Sequence, residues 1–174
     1  MSQRLAPLLT ATLLLTLITA AGCKNTDSNR LPPSAVRISF ATFGDWHSYG
    51  VAGAMESRRF IMSEHQPAGF PYSAGSATGY GGVLLAGQYT YGGNPQTEPP
   101  VAFDLSCPVE ARPDVRVRAD ADKGYACCDR CGSTYDIFNG TGAPLSGPAA
   151  QEGYGMTRYR VTVTAGNQYI MITN

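Results

Sequence analysis

Three thiols, Cys107, Cys128 and Cys131, have the residue type and the spacing to hold a soft metal. Cys128 and Cys131 form a C-x-x-C pair, which lets one tight turn aim two sulfurs at a single ion. Cys107 brings a third sulfur if its own loop meets that turn. A closed zinc or iron–sulfur site takes four protein ligands. Glu110 is a candidate for the fourth, because Cys107 to Glu110 repeats the spacing of Cys128 to Cys131. Cys127 is a second candidate, disfavoured because adjacent residues on extended backbone point to opposite faces. The competing reading is structural: the site holds no metal, and Cys128 forms a disulfide with Cys131 or Cys107.

The thiols need strand ends to hold them. Val101–Cys107 alternates apolar and polar residues and delivers Cys107. Asp114–Arg118 and Gly124–Cys128 read as two strands joined by a turn, the second delivering Cys128. Thr134–Phe138 follows as a short strand. Upstream, Val36–Phe40 alternates as a half-buried strand, and Gly81–Ala86 is an apolar run entered through glycines, with Tyr89–Tyr91 as its candidate extension. Phe43, Trp46 and Tyr49 are expected in a loop or second strand. Ala52–Ser63 reads as one short helical turn, or as a strand over Arg58–Met62. Residues 92–100 are loop by composition. Thr157–Thr164 alternates cleanly, and a turn at Gly166-Asn167 leads into Tyr169–Thr173 as a C-terminal hairpin. Many short strands punctuated by glycine and proline predict an all-β fold.

The order of these residues resembles the Rieske-type [2Fe-2S] domain. The resemblance runs from Val101 to the C-terminus. It rests on the cysteine loop Ser106-Cys107-Pro108, then Cys128-Asp129-Arg130-Cys131-Gly132-Ser133-Thr134-Tyr135-Asp136, Gly140, and Gly147-Pro148-Ala149. In that family the loops read Cys-x-His and Cys-x-x-His-Gly-Ser, the cysteines on one iron and the histidines on the other. Cys107 and Cys128 match the two cysteines. Val109 stands at the first histidine position and Cys131 at the second. The arrangement is similar to a cysteine-for-histidine variant of the kind carried by Bacteroidetes-like lipoproteins. Many members link the two loops by a disulfide; Arg112 and Arg130 occupy those positions here. The resemblance implies a Rieske-like antiparallel β-sandwich or barrel with a small cluster-binding subdomain at about 101–150. It also implies hydrogen bonds from Ser133 and Tyr135 to the cluster sulfurs, a loop at Gly147-Pro148-Ala149 covering the site, and one-electron transfer to a redox partner. Loss of histidine ligands should lower the potential. The cofactor expected is a [2Fe-2S] cluster or zinc, and none if the site is degenerate.

The 174 residues suffice for one ordinary domain. Residues 1–22 read as a leader: Arg4, an apolar run from Leu5 to Ile18, then small residues before Cys23. A cysteine directly after Gly22 makes this a lipoprotein signal, with Cys23 the lipidated N-terminus. Residues 23–34, polar and carrying Pro32-Pro33, read as a tether, and 35–174 as the single domain. The acyl chains would anchor the protein to a bacterial membrane without spanning it. Lys24, in place of an aspartate, favours the outer membrane.

The 13 basic and 13 acidic residues leave no net charge, and no basic stripe points to nucleic acid. Arg112, Arg116 and Arg118 are interleaved with Asp114 and Asp120, as on a solvated strand face. His47 and His65 lack a partner motif and are expected to be solvated. Ser133 has no paired base, and no phosphate loop or dinucleotide fingerprint is present. The chain is too short for the separate catalytic domain of a Rieske oxygenase, so a carrier or binding role is expected rather than an enzyme.

Overall fold

The computed structural model describes residues 25–95, 97–164 and 170–174. The leader at 1–22, the lipidation position Cys23, Lys24, the Gly166-Asn167 turn and Tyr169 lie outside the described residues.

The fold is all-β, with every strand pair antiparallel. In chain order the strands are β1 (Val36–Phe40), β2 (Ser57–Phe60), β3 (Ala77–Thr78), β4 (Val83–Ala86), β5 (Val101–Asp104), β6 (Arg118–Asp120), β7 (Tyr125–Cys127), β8 (Thr134–Tyr135), β9 (Pro144–Ser146), β10 (Arg158–Val163) and β11 (Ile170–Thr173). Among the described residues two short α-helices join them, α1 (Phe43–Tyr49) and α2 (Gly147–Glu152). Seven strands form a nearly closed barrel-shaped sheet in the order β2-β4-β5-β10-β11-β1-β3. The other four form a small sheet, β6-β7-β8-β9.

Strand alternation builds two cores. Val83 and Leu85 of β4, with Ala102 of β5, face one cluster with Ile38, Phe40, Phe60, Trp46, Tyr159 and Ile172. Leu84 and Ala86, with Val101 and Phe103, face the other. There they meet Val117, Ala126, Tyr135, Ile137, Phe138 and the thiols Cys107 and Cys128. Residues on both faces of β4 and β5 are buried, which is why β4 reads as an unbroken apolar run. The thiols therefore sit in the layer between the large sheet and the small one.

Between β4 and β5 on one side and the glycine segment 79–82 on the other lies Asp104, fully buried. Its carboxylate accepts from the backbone N–H groups of Tyr80 (2.9 Å), Gly81 (3.1 Å) and Ser106 (2.7 Å) and from the Tyr159 hydroxyl (2.6 Å). Burial, then the Asp104 charge, pushes the Tyr159 phenol far above its ordinary range. This clamp fixes the exit of β5, three residues before Cys107.

Several local expectations are corrected. Phe43–Tyr49 is a helix, neither loop nor strand. Thr42 Oγ1 accepts from the Asp45 N–H and the Asp45 carboxylate accepts from the Thr42 N–H, both at 3.0 Å, so a reciprocal capping box starts it. Tyr89–Tyr91 does not extend β4, because the Tyr91 N–H turns back to the Gln88 carbonyl. The hairpin before Cys128 is shifted towards the turn, with Ala119 and Asp120 paired inside it. Gly147-Pro148-Ala149 is the first turn of α2, with proline where the helix needs no donor.

Residues 25–34 are docked along the domain, where the composition suggested a tether. Asp27 donates to the Gly153 carbonyl at 2.7 Å and accepts from Gly155 at 2.8 Å. Thr157 Oγ1 donates to the Ser28 carbonyl, Arg30 lies over the Tyr154 ring at 4.3 Å, and Leu31 is buried. The segment satisfies backbone groups left open after α2, which composition alone does not reveal. No helix among the described residues is long and apolar enough to cross a membrane.

Candidate metal centre

Two loops converge at the tip of the small sheet. The first begins at Cys107, whose N–H donates to the Val115 carbonyl and whose carbonyl accepts from Ala111. The second runs from β7 to β8. The Cys128 N–H donates to the Ser133 carbonyl and the Gly132 N–H to the Cys128 carbonyl, both at 2.9 Å. That tight turn requires a left-handed residue, supplied by Gly132 at φ 72°.

The sulfurs of Cys107, Cys128 and Cys131 all lie within 4.8 Å of one another. The Cys107 and Cys131 sulfurs are 3.6 Å apart. In a tetrahedral site with metal–sulfur bonds of about 2.3 Å, ligand sulfurs stand about 3.8 Å apart. The pair is thus spaced to share one ion. The four described cysteines are free thiols. Cys107 and Cys128 are buried and Cys131 is half-buried.

Hydrogen bonds around the thiols favour the anionic form at one of them. Burial pushes Cys131 up, but the Ser133 hydroxyl and N–H, together with the neighbouring thiols, outweigh it and bring that thiol below its ordinary range. Burial pushes Cys128 up to about 12, although the Cys131 and Arg130 N–H groups aim at its sulfur and pull the other way. A metal ion must therefore displace a proton from Cys128, as thiolate ligation requires.

The flanking residues named from the sequence are in place. Ser133 is fully buried, with its hydroxyl 3.2 Å from the Cys131 sulfur while accepting from the Ala149 N–H of α2 at 3.0 Å. The Tyr135 hydroxyl lies 3.5 Å from the Cys107 sulfur. Burial first, then the thiols, drives that phenol far above its ordinary range, so it stays neutral. Replacing Ser133 with alanine would leave the buried Ala149 N–H without an acceptor. A loss of about 1–3 kcal/mol in urea unfolding is expected.

Neither proposed fourth ligand joins the cluster. Glu110 pairs instead with Arg130, Nε to carboxylate 3.1 Å, and its oxygens are not among the converging donors. Cys127 faces away, as alternation requires, and lies 3.3 Å from the Arg118 guanidinium. Val109 is a half-buried hydrophobe packed against the core. His47 and His65 are exposed, and neither joins the thiols.

The Glu110–Arg130 pair is the feature the sequence reading missed. It ties the first thiol loop to the second, using Arg130 from inside the C-x-x-C turn. Opposite charges at Cys107+3 and Cys128+2 were the available signal, but their pairing depends on how the loops meet. The Arg130 side chain is 56% exposed, so a double-mutant cycle of Glu110→Ala and Arg130→Ala should give only about 0.2–1 kcal/mol of coupling, shrinking at high salt.

No protein-family model matches the chain, and no curated protein is significantly similar to it.

Proposed function

We propose that this protein is an exported, lipid-anchored lipoprotein with a Rieske-like domain, in which Cys107, Cys128 and Cys131 hold one metal ion. With iron in the site, its role is one-electron transfer to a partner at the same membrane face, and it is a carrier rather than an enzyme. The observation that carries this reading is the convergence of three sulfurs from two separate loops. Thiolates select zinc, iron and other borderline metals over hard cations. The leader and Cys23 support export and anchoring, with the outer membrane favoured by Lys24.

The [2Fe-2S] cluster implied by the resemblance does not fit these residues. Val109 offers no donor atom. Cys107 and Cys131 would belong to different irons, yet their sulfurs lie 3.6 Å apart, a distance suited to ligands on one ion. No step is assigned to such a cluster.

A second reading is a scaffold with zinc or no metal, acting as a structural or binding lipoprotein. It is favoured by the Glu110–Arg130 pair, which ties the loops without any ion, and by Val109 packed as an ordinary hydrophobe. Metal analysis and EPR of anaerobically purified protein separate the two. One iron per chain with a signal that responds to reductant supports electron transfer. One zinc sinks the redox role and leaves a structural clip. Absence of any metal leaves the scaffold alone. Mass spectrometry of the N-terminal peptide should find acyl groups on Cys23, and an unmodified Met1 or Cys23 would refute the anchor.

A further inference from the structure

We propose that the metal held by these thiols keeps one coordination position open to solvent, filled by water at rest and by a small neutral donor from solution when one is present. This rests on the metal-binding reading above. Among the described residues only three donor atoms of histidine, cysteine or carboxylate type converge there. The residues whose sequence positions suggested a fourth ligand do not supply one. Glu110 is held by Arg130, Cys127 lies against Arg118, and Val109 has nothing to donate.

The 3.6 Å Cys107–Cys131 spacing suits one edge of a tetrahedron, and three converging thiols leave its fourth vertex unclaimed, the arrangement that distinguishes reactive thiolate or imidazole sites from closed structural ones. The way in is on the Cys131 side. Cys107 and Cys128 are buried, whereas Cys131 is half-buried and Gly132 beside it is exposed. A side chain placed at Gly132 would meet nothing within 4 Å, so the turn borders open space.

Charge selects the ligand class. Three thiolates on a divalent ion already leave a net negative charge. A second anion must overcome that charge in a partly desolvated site, whereas a neutral nitrogen donor does not.

The test is cobalt(II) loading of the full-length protein in mild detergent, followed by visible absorption during titration with imidazole and, separately, azide. Sulfur-to-cobalt bands with d–d bands that shift on imidazole addition, at lower concentration than azide needs, support the open position. Bands typical of four sulfurs that neither probe moves would overturn it while leaving metal binding intact. Bands that azide shifts more readily than imidazole would overturn the neutral-donor assignment. Failure to bind cobalt at all would overturn this inference together with the metal-binding reading.

Discussion

Replacing Cys107 with serine is expected to abolish stoichiometric metal binding. Cys107 is the only thiol on the first loop, and its sulfur shares the 3.6 Å edge with Cys131. A hydroxyl is a poor ligand for zinc or ferrous iron, and the two remaining thiols sit on one turn with no further histidine, cysteine or carboxylate donor converging on them among the described residues. Disturbing a residue that merely supports a ligand costs about 10–100-fold in affinity, so losing a ligand outright should cost more than about 100-fold. The loss should also appear as stability. Metal at 1,000 times its dissociation constant stabilises the native state by about 4 kcal/mol. The unaltered protein should therefore melt higher with metal added, and Cys107→Ser should not respond. Cys127→Ser is the control. Its sulfur faces Arg118 outside the cluster, so binding should be unchanged. Equal losses in both variants would refute the assignment of the three thiols.

The second large effect is expected at Asp104, which is not one of the converging donor residues. Asp104→Ala removes the acceptor for three backbone N–H groups and the Tyr159 hydroxyl, all at a fully buried position. Each buried donor left unpaired costs about 1–3 kcal/mol, and water entering the gap recovers part. A net loss of about 3–5 kcal/mol is expected in urea unfolding, or a melting point lower by roughly 10–20 °C for a domain of this size. Asp104→Asn should recover only some of this, because its amide NH₂ opposes donors. Because the clamp fixes the chain three residues before Cys107, Asp104→Ala should also weaken metal binding while leaving every thiol in place. A loss under about 1 kcal/mol would show that the carboxylate is not the acceptor holding β5 to the glycine segment.

Strand positions were legible because alternation and apolar runs report burial directly. Leu84 and Leu85 face different cores, and only a strand buried on both sides needs an unbroken apolar stretch. The thiol turn was legible because C-x-x-C followed by glycine specifies its own geometry. The helix at Phe43–Tyr49 was not, since its signal is the four-residue box from Thr42 to Asp45 inside an aromatic, glycine-containing segment. The docking of 25–34 was hidden because the Asp27 backbone bonds to Gly153 and Gly155 leave no trace in a side-chain pattern. At the site, the residue types announced three ligands and suggested Glu110 as a fourth. Only the meeting of the two loops diverts Glu110 to Arg130.

Native mass spectrometry of the full-length protein, released from detergent after incubation with zinc or ferrous iron, tests the central claim most directly. One ion per chain is predicted, with protons lost from the thiols, absent from Cys107→Ser and retained in Cys127→Ser. A chain that carries no ion, or one that carries two irons with sulfide, would contradict a single metal held by Cys107, Cys128 and Cys131.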